Sequence, residues 1–245
     1  GGWDIGALAE VAGDRDPIVR RDALAELSRR ADPRAVPALV GACRDPEAAV
    51  RATAVAGLGR LAPRIVGSLG RAPQVGCGLQ GLWAEGVPGG ERTAGQLRAV
   101  VVTPLMTALS DLDPEVREAG ATALGEALDP SVAEALVGAL GDAAAGVRQA
   151  ASRSLARVAA PLPRALVAAL SDANPERRRM AGAIIRRMGP EALADLRVAL
   201  RDGDWSLRQA AAELLDEIGW APGPDAEGAA YWLAKGDWDA CVALG

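Results

Sequence analysis

One short pattern returns along this chain at nearly constant spacing, and it constrains the fold more than any other feature. An apolar residue is followed by Arg at Val19-Arg20, Val50-Arg51, Val116-Arg117, Val147-Arg148 and Leu207-Arg208, and a weaker copy at Arg177-Arg178 has lost the apolar member. Four residues after the apolar position stands a small residue: Ala23, Ala54, Gly120, Ala151, Ala181 or Ala211. Eight residues after it stands a large aliphatic: Leu27, Leu58, Leu124, Leu155, Ile185 or Leu215. The steps from Arg to Arg are 31, 66, 31, 30 and 30 residues. A fixed period with three columns in register is the signature of a repeat array. Offsets of 0, 4 and 8 lie along one face of an α-helix, and the small middle residue lets a neighbouring helix approach.

Asp before Pro marks where each such helix begins. The carboxylate accepts from free backbone N–H groups, and Pro in the first turn loses nothing by lacking its own. Asp16-Pro17, Asp45-Pro46 and Asp113-Pro114 have this form, and Asp142, Asp172 and Asp202 are read as filling the same place without the Pro. A second amphipathic stretch precedes each start, as in 35–40, 132–140 and 166–170. Each unit is therefore a helix, a tight turn and a second helix.

This helix pair resembles the HEAT repeat in the short form of phycobilisome-lyase-type proteins. The resemblance implies an all-α fold: a right-handed α-solenoid of stacked antiparallel helix pairs, with roughly six or seven repeats in this chain. It also implies that Arg20 and Arg51 reach the Asp-capped turn of an adjacent repeat. Residues 1–62 are assigned to repeats one and two, 63–99 to a break, 100–219 to repeats three to six, and 220–245 to an aromatic-rich helical spacer or cap.

In the break, two accounts fit. Residues 64–69 could open a decayed repeat, or the whole stretch could be a loop inserted between repeats. Nine glycines between 67 and 95 weaken any helix there and favour the insertion. Cys77 and Trp83 also fall in it. The stretch 229–242 resembles a spacer that in bacterial and archaeal multi-repeat proteins is followed by another repeat, so the chain is expected to continue past residue 245. Its aromatic residues read as core filler and an end cap.

Composition closes off several kinds of chemistry. There is no His, which removes Ser-His-Asp and Cys-His arrangements and most zinc and iron sites. The paired irons of the HEAT-like deoxyhypusine hydroxylases, held by His and Glu, have no ligands here. Cys43, Cys77 and Cys241 are widely spaced and form no CxxC pair, as expected of a reduced, cytoplasmic protein. Asp pairs such as Asp14/Asp16 and Asp111/Asp113 do not continue into a calcium loop and read as helix caps. No apolar run reaches the length of a membrane span. The expectation is no cofactor and no catalysis.

What remains is a surface. Positions two, six and nine residues after the apolar column are read as the concave face of the solenoid. They include Arg21, Ser28, Glu118, Gln149, Arg153, Arg179, Arg186 and Gln209, and Trp83 is added from the break. A mixed, mostly polar row suits a protein or peptide partner better than a duplex. Two alternatives stay open. A phycobilin-lyase-like chromophore handler would rely on Cys77, Trp83 and Trp232. An anion or nucleic-acid binder would use the arginines at 177, 178, 179, 186 and 187, with Arg197 and Arg201, but the net charge of −5 weighs against it.

Overall fold

The computed structural model describes residues 3–69, 94–127, 129–158 and 164–243. The chain divides into two compact units, residues 1–139 with 143–158, and residues 140–142 with 159–245. Among the described residues all regular structure is helical. Cys77, Trp83 and most of the glycine-rich break lie outside them.

Among the described residues the first unit contains four helix pairs: α1 (Ile5–Val11) with α2 (Pro17–Arg30), α3 (Val36–Ala42) with α4 (Ala48–Leu69), α5 (Ala94–Ala108) with α6 (Pro114–Ala127), and α7 (Ala133–Ala139) with α8 (Ala145–Val158). The second helices pack in sequence, α2 on α4, α4 on α6 and α6 on α8. The second unit continues the pattern with α9 (Arg164–Ala168) and α10 (Pro175–Met188), α11 (Leu193–Asp202) and α12 (Trp205–Ile218), and a shorter pair, α13 (Ala226–Lys235) and α14 (Trp238–Val242).

The small and the large-aliphatic columns lie in the core of both units. Leu27, Leu58, Leu124, Leu155, Ile185 and Leu215 are all fully buried, as are Ala54, Ala151, Ala181 and Ala211. Val50, Val116 and Val147 are buried too, whereas Val19 on α2 is 36% exposed. The helices of the first unit approach closely because small residues meet. A Cβ on Gly125 would lie 2.3 Å from Ser154 Oγ, and one on Gly59 would lie 2.6 Å from Ala123 Cβ. The contacts follow a rule: the ninth position of one second helix meets the seventh of the next.

Two expectations need correction. Asp16, Asn174 and Asp204 are the residues that cap α2, α10 and α12, four residues before the column Arg. Asp45, Asp142, Asp172 and Asp202 lie two residues earlier, in register with Asp14 and Asp111. At this earlier position the carboxylate closes a turn: Asp14, Asp45, Asp111 and Asp172 each accept the amide two residues on, at 2.8–2.9 Å. The second correction concerns residue 63. The helix α4 does not stop at Pro63 but runs to Leu69. Ile65 is buried and Arg64 donates to the Ala31 carbonyl at 3.1 Å, so packing beyond the proline offsets the lost backbone hydrogen bond.

Candidate interaction face on the second helices

The column arginines have structural work. Arg20 donates Nε and Nη2 to the two Asp45 carboxylate oxygens, both at 2.7 Å, and Nη1 to the carbonyls of Asp14 and Arg15 at 3.0 Å. Arg51 repeats this one step on, gripping Asp111 at 2.8 Å twice and the carbonyls of Asp45 and Pro46 at 2.9 Å. A planar fork with five donors suits this double task, and Lys could not replace it. Each Asp therefore closes its own turn and holds the Arg of the preceding repeat. The Arg51 fork is the largest influence on Asp111 and, against the cost of burial, holds that carboxyl below its usual range. At Asp45 burial pushes upward, but the Arg20 fork and the Glu47 amide outweigh it and hold the group low. The ladder expected from the resemblance is present.

The arginines of repeat five are largely paired within the second unit. Arg177 bonds Asp172 at 2.7 Å, Arg178 holds the Asp172 and Ala173 carbonyls, and Arg179 pairs with Glu176 at 2.8 Å. Arg186 pairs with Glu217, and Arg197 and Arg201 share Glu227. These pairings use the guanidinium groups internally and leave a weak case for a phosphate-binding stripe.

The aromatic tail is packed rather than open. Tyr231 is buried edge-on between Trp220 and Trp232, with ring centroids 5.6 and 4.9 Å away. Its hydroxyl donates to Asp216, which Lys235 also reaches at 2.6 Å. Burial and the nearby carboxylate push the phenol up to about 12. Trp232 is thus an aromatic packing partner; Cys77 and Trp83, its companions in the chromophore reading, lie outside the described residues. Burial also pushes the Cys43 thiol up to about 12, far from a reactive thiolate.

The predicted face residues fall in both units. Arg21, Glu118, Gln149 and Arg153 belong to the first unit, and Arg179, Arg186 and Gln209 to the second. Of these, Arg21 is tied to its neighbour Asp22 at 2.9 Å. Ser28 is not on the face. It is buried between α2 and α4, where its Oγ accepts from Arg60 Nε at 2.7 Å. The ninth position is thus an interhelical contact, and the tenth takes its place on the surface. On that corrected register α4 presents Ala52, Ala56 and Arg60, α6 presents Glu118, Thr122 and Glu126, and α8 presents Gln149, Arg153 and Arg157.

Between α4 and α6 lies a groove of about 360 Å³. Alanines 56, 119 and 123 line it along with Thr122, and Arg60, Glu115, Glu118 and Glu126 bring four charged side chains to it. The three carboxylates and Arg60 make no ion pair among the described residues, in contrast to the paired charges elsewhere. Sequence reasoning missed Arg60 and Glu126 because it took the ninth position for the surface; the spacing of two small residues, Gly59 and Gly125, was the available signal.

The family model for HEAT repeats matches residues 5–72, 102–166 and 162–236. The chain belongs to the HEAT-repeat family. Solved structures of similar fold include an engineered protein at 18% identity and TM-score 0.50, with 89% of this chain and 99% of that one covered. Another is the complex of CpcE and CpcF of phycocyanin lyase from Nostoc sp. PCC7120, at 18% identity and TM-score 0.49, with 100% of this chain and 93% of that one covered. A designed armadillo repeat protein in complex with the peptide (KR)4 aligns at 17% identity and TM-score 0.46, with 89% of this chain and 100% of that one covered. No curated protein matches the chain. The fold of this HEAT chain alone does not assign a ligand. No helix among the described residues is long and apolar enough to cross a membrane.

Proposed function

We propose that this HEAT chain is a non-enzymatic scaffold that binds a protein or peptide segment across its second helices, centred on α4, α6 and α8. The observation that carries this reading is the groove between α4 and α6. There, charged side chains stand without ion-pair partners, while the arginine ladder and the repeat-five cluster hold their charges in internal pairs. Charges left unpaired on an accessible helix face are available to steer and register a partner. The alanine-lined floor supplies shallow apolar contact beneath them, as binding surfaces of repeat proteins do. The test is selection of peptides from a displayed library on the 245-residue chain. Enriched peptides are expected to lose binding when Glu118 and Glu126 are both changed to Lys. A selection that enriches nothing, beside reproducible turnover of a small molecule by the same preparation, overturns the reading.

A further inference from the structure

The face of the first unit carries its charges in bands. On α4 the exposed charges are Arg64, which donates to the Ala31 carbonyl, and Arg60, anchored at Nε by Ser28 Oγ so that its two amino groups remain for another acceptor. On α6 the row carries half-buried Glu118 and Glu126, with exposed Glu115 beside them, while Arg117 is held by the carbonyls of Asp111 and Leu112. On α8 the exposed charges are Arg153 and Arg157. None of Arg60, Glu118, Glu126, Arg153 and Arg157 makes an ion pair among the described residues, and α4, α6 and α8 are packed in that order. The sequence of bands across the face is therefore positive, negative, positive.

Resting on the scaffold reading above, we infer that the partner segment is an extended peptide bearing one basic residue flanked on each side, about three positions away, by acidic ones. The spacing follows from geometry. Packed helices lie about 8–10 Å apart, and an extended chain advances about 3.3 Å per residue. One step from helix to helix thus takes about three residues. A central Arg or Lys meets Glu126 over the groove, and the two acidic residues meet Arg60 on one side and Arg153 on the other. The pattern is symmetric, so either chain direction satisfies it. Opposite charges at matched positions select this partner, and like charges reject its inverse.

Three labelled peptides test the register by fluorescence anisotropy on the whole chain: acidic–x–x–basic–x–x–acidic, its charge-inverted counterpart, and a peptide with the first one's composition but its three charges adjacent. The first is expected to bind roughly tenfold tighter than either of the others, a preference that added salt weakens. The chain carries a net charge of −5, so unspecific attraction would favour the inverted peptide instead. Changing Glu118 and Glu126 together to Lys is expected to move the preference to a peptide with an acidic centre. Equal binding of the patterned and clustered peptides, or tighter binding of the inverted one, overturns the charge register and leaves the scaffold reading standing. If none of the three binds while the displayed library still yields binders to this face, the register alone fails. If both experiments are negative, both readings fall.

Discussion

Changing Gly125 to Ala tests whether the close approach of α6 and α8 organises the first unit. In an open helix this substitution would stabilise by about 1 kcal/mol through propensity. Here the added methyl would lie 2.3 Å from Ser154 Oγ, 2.5 Å from its Cβ and 2.8 Å from its Cα. Rotating the hydroxyl relieves the first contact but not the other two, so one helix must move. Overpacking of this kind costs about 1–3 kcal/mol. With backbone involved we expect the upper end, and a net loss near 2 kcal/mol after the propensity gain. Chemical denaturation of G125A and of wild type measures it. Gly138 on α7 is the control, because a methyl there meets nothing within 4 Å and Gly138→Ala is expected to be neutral or stabilising. Ser154→Gly removes the opposing side chain, and with it the buried hydrogen bond to the Ala121 carbonyl at 2.8 Å. In the double-mutant cycle the two changes are expected to compensate by about 1 kcal/mol. A G125A protein as stable as wild type would refute the close packing of these helices.

Other consequences follow from the core, the ladder and the tail. Leu124→Ala and Leu155→Ala each empty a fully buried site and are expected to cost about 2–5 kcal/mol in denaturation; losses below about 1 kcal/mol would show that the columns are misassigned. The carboxyls of Asp45 and Asp111 titrate below their unfolded value, so their stabilisation is complete above about pH 4 and is lost as pH falls through the depressed folded values. Asp111→Asn is expected to lower stability near neutrality and to flatten the acid limb of a stability–pH curve; an unchanged limb would contradict the ladder. Tyr231 is the single tyrosine, so phenolate absorbance reports one site, with an expected midpoint at about 12 in the folded protein. Because this value is raised, the associated stabilisation is present below the unfolded value of about 10 and is lost as pH climbs through the folded one; a folded midpoint near 10 would place the ring in water.

The pattern that made the fold legible is the one that packing enforces. Leu124 and Leu155 must be large and Ala151 small because facing helices leave fixed space, and that demand is written at every repeat. Cap register was harder to read. Asp45-Pro46 looks like Asp16-Pro17, yet it sits two residues earlier, because an Asp can serve either as helix cap or as the closing group of the turn before it. The face was misread by one position for a similar reason: Ser28 and Arg60 are both polar, and their types do not show that the first is packed against Gly57 and buried. Pro63 was read as an end, although Ile65 and Arg64 anchor the turn beyond it. The division into two units has no counterpart in the repeat spacing, since the step from Arg148 to Arg178 is as regular as the one that follows.

The central claim is that partners bind across the second helices. A photoreactive benzoylphenylalanine placed at Thr122 on α6 reports on that face, and one placed at Met106, which is 41% exposed on the first helix of the same pair, reports away from it. With a labelled peptide taken from the displayed library, the account predicts a covalent adduct from position 122 and none from 106. An adduct from position 106 in the absence of one from 122 would contradict it.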